Sequence, residues 1–483
     1  MANKVVAHSL AWKFFERGGV QGTKFLVSIV IARLILPSAY GAVALLVIFT
    51  SLATIFVQSG LNTAIIQKKD ADDADCSAVL LYTLGLAILL YAVLFVASPY
   101  IAVFFHLPEL KSLLRVLALI LFPGAINSLQ IAILSKRMEF KTQFYVNLVA
   151  AIISGITGIA MAYKGLEAWA LVGQQLSYQC VACVLFSFSA RWHMTFKTSF
   201  SRTKPLLKFG SKLLGANIIN NLYQNLESLI IGKEFSPATL AYCNKGKMFP
   251  LTLIDNIDGS VQTVMLPAFA TKQNDPAGLK TMLRKAISIS SYLSFAAMSL
   301  LAAVATPTIY LVLGENWMEA VPYMQIFCVI AMLYPLQTAN LEAFNAVGKS
   351  GIYLKLMMWK RAVGTIILIS SVIVWHSPFA VVLAALIIEI ASVMINAPYS
   401  RRILGYSLGE MISDILPNLG IAVFLGLSCW SIQFLITNPW ILLGTQIIAG
   451  LAIFIGCSAL FKNSNFEYIV SSFSLDTKIR KWL

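Results

Sequence analysis

Apolar residues run in blocks of about twenty along almost the whole chain, with short polar breaks between them, and a block of that length is what a helix needs to cross a bilayer. The blocks fall at 12–36, 39–62, 77–101, 112–134, 142–163, 167–189, 209–232, 238–266, 284–308, 319–344, 353–375, 379–397, 412–435 and 440–461. The pattern therefore predicts an all-α, polytopic membrane protein of about fourteen transmembrane helices, with little chain left for a soluble domain. The first block has neither a clean apolar h-region nor a small-residue cleavage site, so it is read as a retained helix and not a signal peptide.

That first block departs from the pattern of a simple span. Lys13, Arg17, Gln21, Lys24 and Ser28 recur at steps of four, four, three and four, which places them on one helical face, while Phe14, Phe15, Phe25, Leu26 and Ile29 cover the others. An unpaired Lys or Arg at the centre of a bilayer costs ~2.5–3.5 kcal/mol on the lenient scale, so such a stripe predicts a hydrated cavity or an anionic ligand. Lys13 sits close enough to the end of the block to snorkel to the headgroups; Lys24 does not.

The second half repeats the anomaly. Block 209–232 carries Asn217, Asn220, Asn221, Gln224, Asn225, Glu227 and Ser228, and block 238–266 carries Lys245, Lys247, Asp255, Asp258 and Gln262. Interhelical hydrogen bonding accounts for some of these, but not for so many ionisable groups. Block 353–375 adds Lys360 and Arg361, block 112–134 holds Arg115, and block 379–397 has one acidic residue, Glu389, either the partner of a neighbouring cation or a coupling group. A shift of 200 residues lays Val57–Ile65 on Ile257–Met265, Pro37 on Pro237, Arg33 on Lys233 and Gln21 on Asn221. Two pseudo-symmetric six-helix lobes are expected, 1–200 and 201–400, followed by two accessory helices and a tail in 401–483. Repeats of this kind are how many alternating-access transporters are built.

Composition agrees: 58% of the residues are hydrophobic, 12% are charged and the mean hydropathy is +0.79, values that exclude a water-soluble globule. With the N-terminus in the cytoplasm, 23 of the 36 Lys and Arg residues fall in cytoplasmic segments and only Lys111, Lys164 and Lys233 on the far side. That asymmetry orients both termini to the cytoplasm. Much of the net charge of +15 is then a topology signal, and no nucleic-acid partner is expected. The seven cysteines lie mostly inside apolar blocks, where Cys180 and Cys183 read as packing residues, and His8, His106, His193 and His376 show no metal spacing. Neither a metal nor a cofactor is expected.

The run Ala241-Tyr242-Cys243-Asn244-Lys245-Gly246-Lys247-Met248-Phe249-Pro250, with Asn256-Ile257 and Val264-Met265-Leu266-Pro267-Ala268 after it, resembles the Wzx-type flippases of lipopolysaccharide and polysaccharide assembly. Leu229–Lys233, Thr338–Ser350, and Ala32-Arg33 with Leu36-Pro37 and Tyr40-Gly41 extend the resemblance over essentially the whole chain. It implies a V-shaped pair of lobes in a bacterial inner membrane. The expected substrate is an undecaprenyl-pyrophosphate-linked oligosaccharide moved from the cytoplasmic to the periplasmic leaflet for O-antigen or exopolysaccharide assembly. Membrane lipids, a glycan polymerase and a chain-length regulator are the expected partners; the oligomeric state is left open. A pyrophosphate would find its cations in Arg17, Lys24, Lys245 and Lys247 first, and in Arg115, Lys360 and Arg361 second. Gln21, Gln58, Asn217, Asn221, Gln224 and Gln262 are expected to line the cavity, with Glu227, Asp255, Asp258 and Glu389 as ion-coupling candidates or as salt-bridge partners of the cations. The chain departs from the family pattern at Cys243, Met248, Asp255 and Asp258.

Two other functions compete. A membrane glycosyltransferase or polymerase needs a carboxylate or metal constellation, whereas Glu109, Glu167, Glu234 and Glu315 are scattered over short outer loops. An exporter of drugs or organic cations would want an anionic or aromatic cavity, and the basic excess within these blocks argues against one.

Overall fold

A computed structural model describes residues 16–58, 65–68, 70, 72–195, 200–273 and 275–479. Among the described residues there is no strand, and helix occupies each of the apolar blocks. In chain order the long helices are α1 (Gln21–Leu34), entered through a π-helical turn at Glu16–Val20, α2 (Pro37–Gln58) and α3 (Asp73–Phe104). Next come α4 (Leu110–Lys136), α5 (Phe140–Tyr163) and α6 (Glu167–Ser189). After α7 (Phe200–Glu234), α8 (Pro237–Ala270) and α9 (Pro276–Ala303) follow α10 (Ala320–Ala346), α11 (Ser350–Trp375) and α12 (Pro378–Leu404). The chain closes with α13 (Leu408–Phe434), α14 (Pro439–Leu460) and a last helix, α15 (Ser464–Ile479). Among the described residues eleven helices are long and apolar enough to span a membrane; α1, α7, α8 and α15 lie outside that set, and the first three hold most of the polar positions singled out above. The chain is a multi-pass membrane protein.

Contacts divide the chain into two units, Met1–Ala241 and Tyr242–Leu483. The contacts thus change over at residue 241 and not at 200, because α7 packs along α2 and α3 of the first unit. In that unit small residues set the helix spacing, as they do where apolar lipid gives helices no hydrophobic drive to associate. A Cβ built on Gly155 of α5 would stand 2.5 Å from Val27, and one on Gly158 would stand 2.8 Å from Ile31. These two glycines let α1 lie directly against α5. Lys24, Val27 and Ile31 share one face of α1 by their spacing, so this packing also turns Lys24 toward α5 and α6.

In the second unit α13 runs alongside α9 in the same direction. Lys280 bonds Glu410, Arg284 bonds Asp414, and Asn418 donates to the carbonyl of Ser288, each pair separated by 130 residues. Steps of four on both helices keep one face of each in register over successive turns. Gly405, at φ 65°, ends α12, and Ser407 with Glu410 forms the capping box that starts α13. Lys280 and Arg284 therefore fasten α13 to its neighbour α9. The Arg284–Asp414 fork is bidentate at 2.8 and 2.6 Å, and the Tyr406 hydroxyl donates to the same carboxylate at 2.9 Å. Asp414→Asn is expected to lower stability by about 1–2 kcal/mol, since Arg284 stays partly hydrated, and the loss should shrink in high salt. Thermal unfolding of the purified protein at two salt concentrations tests this; an unchanged midpoint would show the fork to be idle.

Candidate functional site in the first unit

The apolar helices of the first unit enclose a polar cleft in two adjoining compartments. The first, about 310 Å³, is bounded by Lys24 of α1, Ser154 of α5, and Gln174, Gln175, Tyr178 and Gln179 of α6. The second, about 380 Å³, shares Tyr178 and Gln179 and adds Gln58 of α2, Asn127 and Ser128 of α4, and Asn147 of α5. Gln175 and Gln179, like Gln174 and Tyr178, are four residues apart, so α6 presents an amide–aromatic face to both compartments.

The cleft's polar groups are fixed in place. The Lys24 ammonium lies 4.0 Å from the centre of the Tyr178 ring, a cation–π contact that orients the charge. Lys24 itself remains exposed. The Tyr178 hydroxyl donates to Asn147 Oδ1 at 3.2 Å. Asn127 Nδ2 donates to the carbonyl and to Oε1 of Gln179 at 3.0 and 2.9 Å, tying α4 to α6. Gln58 Nε2 reaches the Gly124 carbonyl at 3.4 Å. Asn127 is 4% exposed and its Oδ1 finds no donor among the described residues. A buried amide oxygen without a partner is costly.

The other expected cations have different surroundings. Arg115 Nε donates to Ser98 Oγ at 2.9 Å and its guanidinium lies 3.9 Å from the Phe95 ring, so it fastens α4 to α3 and does not line the cleft. In the second unit Lys245 is 6% exposed and stands 5.9 Å from the ring of Trp317, which is itself fully buried and meets Tyr242 edge-on. Trp317 sits in a short 3₁₀ turn between α9 and α10, a connection that hydropathy alone leaves as a plain loop. Lys360 Nζ donates to Gln337 Oε1 at 2.7 Å, and Gln337 Nε2 donates to Glu389, so α10 bridges a cation on α11 to an acid on α12. Thr338 donates to Asp258 at 2.7 Å and Gln262 to the same oxygen at 3.4 Å. Lys247 and Arg361 are half-buried, and Asp255 is exposed.

Of the expected lining amides, Gln58 lies in the cleft, while Gln21, Asn217 and Gln224 are exposed elsewhere on their helices. Asn221 accepts from Ser51 at 3.5 Å, and Glu227 is half-buried. The side chain of Arg17 lies outside the described residues. Asn127, Asn147, Gln174, Gln175, Tyr178 and Gln179 were not singled out by the charged stripes. Their signal was there to find: uncharged amides at helical spacing in three neighbouring apolar blocks. Among the described residues no group of His, Cys, Asp and Glu could hold a metal ion.

Residues 30–322, more than half of the chain, match the model of a family described as polysaccharide biosynthesis protein. The teichuronic acid biosynthesis protein TuaB of Bacillus subtilis (strain 168) is 24% identical over 303 residues, 62% of this chain and 63% of the relative. The lipopolysaccharide biosynthesis protein WzxC of Escherichia coli (strain K12) is 24% identical over 308 residues, 63% of this chain and 62% of the relative. The matches thus span less than two thirds of the length of these two relatives. The succinoglycan biosynthesis transport protein ExoT of Rhizobium meliloti (strain 1021) is 21% identical over 75% of this chain and 73% of its own. Among solved structures, the lipid II flippase MurJ in an inward closed conformation superposes with a TM-score of 0.73 at 14% identity, covering 94% of this chain and 98% of that one. An inward-facing multidrug transporter of the MATE family reaches 0.61 at 16% identity, covering 82% of this chain and 98% of that one. At such identities the likeness speaks for the fold, and the family match over residues 30–322 speaks for kinship: the chain belongs to the polysaccharide biosynthesis protein family, built on the polytopic helical fold that MurJ and the MATE transporters share.

Proposed function

We propose that this protein is a flippase that carries undecaprenyl-pyrophosphate-linked oligosaccharide from the cytoplasmic to the periplasmic leaflet of a bacterial inner membrane. The observation that carries the proposal is Lys24, an exposed ammonium held over Tyr178 at the wall of the cleft. A pyrophosphate drawn out of the headgroup region needs a positive charge and hydrogen-bond donors to replace its water. Relatives named for teichuronic acid, lipopolysaccharide and succinoglycan production support a polysaccharide-related cargo. The 200-residue sequence repeat supports alternating access by two six-helix halves, 1–200 and 201–400, with 401–483 as accessory helices and tail. The Lys and Arg asymmetry supports cytoplasmic termini. Moving the lipid breaks no covalent bond, so the reading is a transporter and not an enzyme. A glycan polymerase and a chain-length regulator would use the product.

Lys24→Ala removes one charge-assisted contact and should cut glycan export about ten- to a hundredfold at normal protein level, with lipid-linked precursor accumulating on the cytoplasmic leaflet. Surface glycan and leaflet-specific labelling of the precursor would read it out. If Lys24→Ala, Lys245→Ala and Arg17→Ala all export at the wild-type rate, the anionic-headgroup cavity is wrong and the reading as an exporter of organic cations gains.

A further inference from the structure

The two compartments of the first-unit cleft differ in chemistry. The smaller one holds the single cation, Lys24, whereas the larger one sets Gln58, Asn127, Asn147 and Gln179 among apolar side chains such as Ile66 and Phe186, with no charged side chain among its lining residues. An amide offers a donor pair and an acceptor on one rigid plane, and a pyranose ring offers adjacent hydroxyls that can each donate and accept. A site of neutral amides is therefore matched to a neutral, hydroxyl-rich ligand; an anionic one would leave the acceptor oxygens facing negative charge. The volume of about 380 Å³ falls at the lower end of ligand-binding pockets, which suits one or two sugar rings.

We infer that the larger compartment is a sugar-reading site: it binds the neutral sugar joined directly to the pyrophosphate while Lys24 holds the phosphate in the compartment beside it. This rests on the flippase reading and adds to it the class of sugar and the residues that recognise it. Asn127 is the centre of the site. Its Nδ2 donates to the carbonyl and to Oε1 of Gln179, which locks the orientation of both amides at the wall of the compartment. Asn147 is held by the Tyr178 hydroxyl, so one tyrosine steadies the sugar compartment through its oxygen and the phosphate compartment through its ring. The two parts of the ligand would be read at adjacent places on one helix, α6. A sugar lacking the matching hydroxyl would leave an amide of the compartment wall unpaired, which is the way a hydrogen-bonding site rejects a near-isostere.

Interhelical hydrogen bonding alone could also keep these amides in an apolar bundle, and binding separates the two roles. The probes are short-chain polyprenyl pyrophosphates, bare or bearing one hexose or one N-acetylhexosamine, titrated against the purified full-length protein in nanodiscs. Wild type is expected to prefer at least one sugar-bearing lipid over the bare one by about tenfold. Asn127→Leu and Asn147→Leu should each collapse that preference toward unity, whereas Lys24→Ala should weaken bare and sugar-bearing lipids alike. Asn127→Ser, which keeps a smaller acceptor, should recover part of the preference and guards against a variant that fails to fold. Equal binding of bare and sugar-bearing lipids by wild type overturns the inference and leaves the flippase reading intact, as does a preference that survives both leucine variants. No binding of any polyprenyl pyrophosphate overturns the flippase reading, and the inference with it.

Discussion

Gly41→Ala is expected to disrupt the folded protein, although it adds one methyl group. A Cβ built at Gly41 of α2 would stand 1.7 Å from the carbonyl oxygen of Pro237, 2.4 Å from its carbonyl carbon and 2.9 Å from its Cα. All three are backbone atoms at the start of α8, so no rotamer change relieves the clash; a helix has to move. Small-to-large changes in packed interiors cost about 1–3 kcal/mol when side chains can yield, and a backbone obstacle puts this one at the upper end or beyond. Gly85→Ala in α3 is the control, because nothing lies within 4 Å of its Cβ and a helix-interior alanine stabilises by roughly 0.5–1 kcal/mol relative to glycine. Thermal unfolding in detergent and glycan export should both fail in Gly41→Ala and hold in Gly85→Ala. A Gly41→Ala protein with wild-type midpoint and export would mean that α2 and the start of α8 are not closely packed in the working protein.

The helices were legible because a membrane leaves a chain little choice: backbone polar groups must be satisfied within each segment, so apolar length alone marks the spans. Lys24 was legible for the same reason in reverse, since a charge where leucine belongs is expensive. What pairs with what was not legible. Arg284 and Asp414 are 130 residues apart, and nothing local to either says that α9 and α13 run side by side. Arg115 stood out by position alone, and nothing local to it says that Ser98 and Phe95, one helix earlier, are its neighbours. The amides of α4, α5 and α6 escaped notice for a different reason. Each is uncharged and inexpensive enough to be excused as an interhelical hydrogen bond, and only the fold brings Asn127, Asn147 and Gln179 to one cleft. Trp317 shows the converse: a residue in a nominal loop ends up fully buried beside Tyr242, because the turn that carries it packs back onto α8.

Lys360→Met is expected to remove most of the folded protein from the membrane, and Lys360→Met with Glu389→Gln to restore it. Lys360, Gln337 and Glu389 form one chain across α11, α10 and α12, in which the amide donates to the carboxylate and accepts from the ammonium. The amide can face only one way while both charges are present. Removing the cation strands a carboxylate in an apolar bundle, a loss of about 3–5 kcal/mol for a buried pair broken on one side. Removing both charges leaves two neutral amides that can bond each other, and replacing a buried pair altogether is often neutral. Glu389→Gln alone should be the milder single change, because Lys360 keeps Gln337 and can reach along its flexible stem toward water. The measurements are protein level in membranes, unfolding midpoint and glycan export for the two singles and the double. Rescue of level and midpoint by the double variant identifies a structural pair. Normal level with lost export in Lys360→Met would instead make Lys360 a substrate cation, as its place in an apolar block first suggested. Should the double variant recover stability but not export, the same three residues both hold the second unit together and take part in transport, and Glu389 becomes the group to test for ion coupling.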